Sequence, residues 1–214
     1  LAPFFVSDGL SPTGWYCAGA DLYHAPQITV FRGNSMRAAF YDRLGSASDV
    51  LTVGEQPTPE PGPGEVRVRL ATSGVNPSDW KARARGRGGV IPFPLIIPQS
   101  DGAGTIDAVG DGVDGGRVGR DVWLMNGQWQ RPFGTAAEYI CMPAKYVIDL
   151  PAGADKAEAA CFGIPFLTAH RAVMFDGDVS GQTILVQGGA GAVGDHAVQV
   201  AKANGARVIT TVSS

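Results

Sequence analysis

Residues 183–212 read TILVQGGAGAVGDHAVQVAKANGARVITTV, and the chemistry they offer is the holding of phosphate. Gly189, Gly191 and Gly194 form a G-x-G-x-x-G pattern that follows an apolar run directly. Glycines at these positions permit a tight turn, close approach of backbone to a pyrophosphate, and packing of helix on strand. The segment Gly188, Gly189, Ala190, Gly191, Ala192, Val193 and Gly194 would then cradle a dinucleotide at a helix N-terminus, where amides and dipole favour an anion. The spacing predicts a helix with Val193, Ala197, Val200 and Ala201 on one face. Thr183–Val186 reads as a strand buried on both faces and Val208–Val212 as a second strand. A glycine pattern alone is weak, but set between strand and helix in a βαβ unit it has the required context.

The end of that second strand bears on which dinucleotide is held. NAD-specific units place Asp or Glu there, to bond the ribose 2′-hydroxyl. Here "RVITTVSS" offers no carboxylate, and Ser213 and Ser214 are small hydroxyls able to meet a 2′-phosphate. The reading is NADPH.

The elements upstream must position whatever reacts. "EVRVRL" alternates Val66, Val68 and Leu70 with Arg67 and Arg69, as a strand with one buried face does. Asn76 followed by Pro77 is a helix N-cap with proline at the first helical position. Gly102, Gly104, Gly110, Gly112, Gly115 and Gly116 read as punctuation between short strands of a small barrel. Asp155 with Glu158 starts a helix, and Pro165 interrupts it and begins another running to about Met174. The organisation is therefore a mostly β region to about residue 150, then helices, then a parallel α/β unit.

Composition sets the outer bounds. The chain has 214 residues, a formal net charge of −3, and 44% hydrophobic against 17% charged residues. Nothing in that balance calls for nucleic acid or an anionic membrane, and no apolar run approaches a membrane span. Three cysteines, Cys17, Cys141 and Cys161, fit a reducing compartment, and Cys161 reads as core. The run KARARGRGG (81–89) reads as a solvated basic loop. His170 and His196 fall in helices without a catalytic partner at a useful spacing. Met36 opens a strand-like segment and looks like a start, so residues 1–35 are expected to be a leader outside the fold.

"SGVNPSDW", "IPQSDGAGTIDAVG", "GTAAEY", "GIPFLTAHRAV" and "VQGGAGAVG" occur in that order. Together they resemble the zinc-independent medium-chain dehydrogenase/reductases, most closely the zeta-crystallin-like quinone oxidoreductases, over about residues 36–214. The resemblance implies a mixed β and α/β fold. A GroES-like β-barrel catalytic domain (36–153) would be followed by the start of a Rossmann domain (154–214), truncated and incomplete. It implies NADPH as cofactor and hydride transfer to a quinone or enone. The neighbouring readings are an enoyl or alkenal reductase and a non-catalytic NADPH-binding protein. It places Asn76 and Thr168 beside the nicotinamide and Trp80 as a pocket wall. It also implies a cytoplasmic enzyme that forms homo-oligomers at full length and is inactive at this length. The catalytic-zinc ligands of metal-dependent relatives would fall at Asn76, Ser100 and Ile164, none of which supplies a thiolate or imidazole, so no metal is expected.

Overall fold

The computed structural model describes residues 3–5, 17–19, 34–86 and 88–213, with side chains described from residue 34 onward. The short strands β1 (Pro3–Phe5) and β2 (Cys17–Gly19) pair antiparallel. The leader expectation otherwise lies outside the described residues. Strand pairing of the main body has already begun at Ser35, since β3 (Ser35–Phe40) pairs antiparallel with β4 (Thr52–Pro57) across the short helix α1 (Ala47–Val50). Met36 and Ala38 turn inward and Ser35 and Arg37 outward, the alternation of a strand with one buried face.

A five-stranded antiparallel sheet forms the body, in spatial order β8 (Tyr139–Pro143), β5 (Glu65–Gly74), β6 (Asp101–Val109), β7 (Asp121–Leu124), β9 (Val147–Asp149). Bridges Ala38–Ala137, Tyr41–Ile96 and Ile97–Phe133 stitch the β3–β4 pair to it, giving a curled half-barrel. Its core is Val66, Val68, Ile106, Val122, Leu124, Ile140, Met142 and Val147, and Val66, Val68, Val122, Leu124 and Met142 are fully buried. Each such side chain removed from water contributes about 1.5–3 kcal/mol, which explains the strict alternation with Arg67 and Arg69.

The glycines of β6 play a different part from the one expected. Gly102 and Gly104 do not separate strands; both lie inside the nine-residue β6. A Cβ on Gly104 would stand 2.1 Å from the Arg69 carbonyl, and one on Gly110 would stand 1.9 Å from the Gly62 carbonyl. Gly104 lets the backbones of β5 and β6 approach beside the register shift between Leu70 and Thr72, and Gly110 does so for the loop before β5. Gly112, with φ +81°, is the true turn glycine.

Helix α2 (Pro77–Arg85) leaves the end of β5 and takes in residues 81–85 of the basic run, while Gly86, Gly88 and Gly89 lie in turns. Beyond β9 come α3 (Lys156–Ala159), a π-helical turn (Phe162–Phe166) and α4 (Leu167–Val173). Strands β10 (Thr183–Val186) and β11 (Arg207–Thr210) run parallel, connected by α5 (Ala192–Ala203). The second strand thus ends two residues before Val212. Only Val186 of β10 is buried, and Leu185 is 60% exposed, because a two-stranded sheet with helices on one face leaves the other face open. Ala197, Val200 and Ala201 of α5 are buried as expected, but Val193, in the first turn of the helix, is exposed. Cys161 is exposed and not core, while Cys141 is buried and its thiol is pushed up to about 12 by desolvation. No helix among the described residues is long and apolar enough to cross a membrane.

Substituting Gly104→Ala tests the close approach in β6. The added methyl must displace the Arg69 carbonyl, so stability should fall by about 1–3 kcal/mol. Urea unfolding midpoints measure this; an unchanged midpoint would show that the strands can separate freely there.

Candidate functional site

The polar corner of the molecule is built where β5 ends and β6 begins. Gly74 closes β5 tightly, since a Cβ there would lie 2.4 Å from the Ala160 carbonyl. Asn76 then caps α2: its backbone N–H donates to the Asp79 carboxylate at 2.7 Å, and its side chain faces the Asp79 amide to complete a capping box. Asn76 is buried, so its amide must find partners within the protein. Nδ2 donates to Asp101 Oδ2 at 2.7 Å.

Asp101 is 1% exposed and opens β6. The same Oδ2 also accepts the Ile164 backbone N–H at 2.8 Å, whereas Oδ1 is buried without a partner. Burial is the main influence on this carboxyl and pushes it up to about 6, the two hydrogen bonds holding it back from a higher value. Ser100 and its loop are held by backbone: Gln99 adopts a left-handed φ of +76°, and Gly127 N–H donates to the Ser100 carbonyl at 2.9 Å. The Asp101 carbonyl accepts from Thr135 Oγ1 at 2.7 Å, and Thr135 Oγ1 and Ser73 Oγ lie 2.7 Å apart.

The structure therefore brings Asn76, Ser100 and Ile164 to one corner. There the Asn76 amide and the Ile164 peptide N–H both donate to the carboxylate of Asp101, the residue after Ser100. Asn76 and the turn ahead of Thr168 are tied together through Asp101. Thr168 itself is exposed on α4, lining a groove of about 720 Å³ with Leu167, Arg171, Ala172, Phe175 and Asp176. Trp80 is 45% exposed on α2 with Lys81 Nζ 5.5 Å from its ring centroid, so it is not a core tryptophan. Among the described residues it takes part in neither the Asn76–Asp101 bond nor the α4 groove.

Pro165 explains the π-helical turn. It has no N–H to give, and the Ile164 N–H is turned out to Asp101, so a regular i→i−4 ladder is not available. Phe162 packs edge-on to Trp123 of β7 with centroids 5.8 Å apart. Phe166 packs edge-on to His196 of α5 at the same distance. Both histidines of the helices, His170 and His196, serve as ring partners of Phe166.

The second centre is the head of α5. Gly188 has φ +70°, a Cβ on Gly189 would stand 2.0 Å from Thr210 Oγ1, and one on Gly194 would stand 2.1 Å from the Gly188 carbonyl. Only glycine fits these places. The helix N-cap is Gly191, which has no side chain to satisfy the amides of Ala192, Val193 and Gly194. Thr210 and Thr211 fasten the turn: Thr211 Oγ1 and its carbonyl accept the Gly188 and Gly189 N–H groups at 3.1 and 2.9 Å, and Thr210 Oγ1 donates to the Val186 carbonyl at 2.9 Å. Sequence reasoning missed these two threonines, whose only signal was their place at the end of the second strand. Ser213 is exposed beyond β11, and Ser214 lies outside the described residues.

The chain is similar to several known proteins. Residues 62–152 match the alcohol dehydrogenase GroES-like domain. The chain is 32% identical over 176 residues to the 2-methylene-furan-3-one reductase of Solanum lycopersicum, covering 79% of this chain and 45% of that protein. It is 33% identical over 147 residues to the quinone oxidoreductase of Homo sapiens, covering 68% of this chain and 43% of that protein. Among solved structures, the quinone oxidoreductase from Coxiella burnetii superposes with a TM-score of 0.74 at 28% identity, over 85% of this chain and 57% of that one. A mycobacterial protein in complex with NADPH superposes with a TM-score of 0.70 at 33% identity, over 84% of this chain and 53% of that one. The chain spans about half the length of the curated relatives it matches.

Two predictions follow from the corner. Asp101 has its folded pKa raised above the ordinary 3.8, so below about pH 4 it has no net effect, and above about pH 6 its ionisation opposes folding. A shift of about two units corresponds to about 3 kcal/mol. Wild-type stability relative to Asp101→Asn should therefore fall by about that amount between pH 4 and pH 6. Parallel denaturant titrations measure it, and curves that stay a constant distance apart would refute it. The donor chemistry of Asn76, Ser100 and Ile164 further predicts no stoichiometric zinc; elemental analysis of protein purified without chelator should find well below one per chain.

Proposed function

We propose that this chain, a member of the quinone oxidoreductase family of medium-chain dehydrogenase/reductases, belongs to an NADPH-dependent oxidoreductase that reduces quinones or related activated carbonyl compounds without a metal. The observation that carries the reading is the glycine cradle at the head of α5, where a Cβ would collide at Gly189 and Gly194 and no side chain caps the helix. Such a turn fits a pyrophosphate. When bound, the nicotinamide supplies the hydride.

The residues of the chain have separate tasks in this scheme. The first-turn amides of α5 hold the pyrophosphate, and Thr210 and Thr211 keep the turn that presents them. Ser213, with Ser214 after it, meets the adenosine 2′-phosphate, where a carboxylate would repel it. No carboxylate occurs from Arg207 to Ser214. Asn76 has committed one N–H to Asp101 and retains another for the nicotinamide carboxamide or the substrate oxygen. Thr168 offers a hydroxyl from the α4 groove, and Trp80, exposed on α2, takes its place as a wall of the substrate side from the family resemblance alone. The reduction needs no Lewis acid from the protein, because a quinone is electrophilic by itself. A second reading, reduction of an activated carbon–carbon double bond, is favoured by the likeness to a 2-methylene-furan-3-one reductase. The full-length protein is a homo-oligomer in this proposal and acts in the cytoplasm.

The test is NADPH oxidation by a panel of quinones and alkenals, using the full-length natural protein. One charge-assisted contact to the 2′-phosphate corresponds to about 1.5–3 kcal/mol, so kcat/KM should favour NADPH over NADH by at least about tenfold. Equal or faster rates with NADH would overturn the cofactor assignment. Turnover of alkenals without quinones would establish the second reading instead.

A further inference from the structure

We propose that Asp101 is the positioning residue of the site, its Oδ2 setting both the orientation of the Asn76 amide and the course of the π-helical turn that leads to Thr168. The inference rests on the placement of Asn76 and Thr168 beside the nicotinamide given above.

Three observations carry it. First, one oxygen receives donors from two segments far apart in the chain: Asn76 Nδ2 at 2.7 Å, from the junction of β5 and α2, and Ile164 N–H at 2.8 Å, from the π-helical turn. A carboxylate only accepts, so the Asn76 nitrogen and not its oxygen faces Asp101. With its oxygen side toward the Asp79 amide, the Asn76 side chain has one orientation and one N–H left over. Second, the carboxyl is buried with Oδ1 unpartnered. A side chain serving only to fill space would be apolar, because a buried polar atom without a partner opposes folding. Third, the neighbour at Oδ1 is Gly163, where a Cβ would lie 1.9 Å away, so the turn is pressed directly against the carboxyl.

Movement at Asp101 would also be felt beyond the corner. The π-helical turn touches β7 through Phe162 and Trp123 and touches α5 through Phe166 and His196. The carboxyl therefore holds the segment that joins the half-barrel to the helix bearing the phosphate cradle. Asp101 need not touch substrate or cofactor to govern how Asn76 and Thr168 are presented.

The experiment compares Asp101→Ala and Asp101→Asn in the full-length protein. Asparagine keeps an oxygen able to accept from both Asn76 and Ile164, whereas alanine keeps none. Asp101→Ala should lower kcat at least about tenfold, the loss of a hydrogen bond to a charged group, with a smaller change in KM for NADPH. Asp101→Asn should recover most of that loss. In parallel, the Asn76 side-chain NH2 resonances should be resolved and slow to exchange in wild type and Asp101→Asn, and should collapse toward free-amide positions in Asp101→Ala. Wild-type kcat in Asp101→Ala, or Asn76 signals that do not move, would overturn the proposal. So would an Asp101→Asn variant as impaired as Asp101→Ala. If Asp101→Ala does not fold, Asp101→Ser, too short to reach both donors, takes its place. Should the wild-type protein reduce no quinone or alkenal at all, the functional reading fails, and the Asn76 signals alone still decide the positioning role.

Discussion

One carboxylate oxygen, Asp101 Oδ2, takes hydrogen bonds from both Asn76 Nδ2 and the Ile164 N–H, and the organisation of the site follows from that double acceptance. Neither donor has another obvious destination. Asn76 is buried at a helix cap, and Ile164 precedes a proline that breaks the helical ladder. A buried donor left unpaired costs about 1–3 kcal/mol, so placing an acceptor between the two draws α2, β6 and the π-helical turn to a common point. The same arrangement explains the raised proton affinity of Asp101, because burial outweighs the two bonds that favour its charged form.

Close backbone contact is the constraint that lets the elements reach that point. Gly74 lies against the Ala160 carbonyl, Gly104 against Arg69, Gly163 against Asp101, and Gly194 against Gly188. At each place a methyl group would overlap an oxygen at 2.4 Å or less. At these four positions glycine serves close contact rather than backbone freedom. The turn glycines, such as Gly112 and Gly188 with positive φ, are a separate class.

The two centres of the molecule are coupled by packing. An aromatic line runs from Trp123 through Phe162 and Phe166 to His196, so β7 and the helix that follows the glycine turn meet in the π-helical turn. Both helical histidines pack against Phe166, His196 at the end of this line and His170 beside it. The line also shows why the half-barrel and the α/β unit share one connecting segment: the turn that packs the aromatics is the turn that Asp101 holds.

Much of this was legible in the residues themselves. Alternation at Val66 and Val68, the Asn76–Pro77 start of α2, the Asp155 cap of α3, and the glycine cradle between β10 and α5 are local patterns. Each is dictated by pleat, capping or turn sterics within a few residues, so a linear reading finds it. What that reading missed depends on partners distant in the chain. Gly102 and Gly104 looked like punctuation because the carbonyls they approach belong to another strand. Cys161, Val193 and Leu185 looked buried because an apolar side chain does not reveal whether anything lies over it. Thr210 and Thr211 acquired their task only when β11 came to lie beside the glycine turn. The sequence by itself determined the strands, caps and glycine turn, since these follow from short-range periodicity and sterics, and its ordered motifs gave the fold class by resemblance. Tertiary structure alone decided that Asp101 joins Asn76 to Ile164, because a hydrogen bond across 63 positions of chain exists only after the sheet has closed.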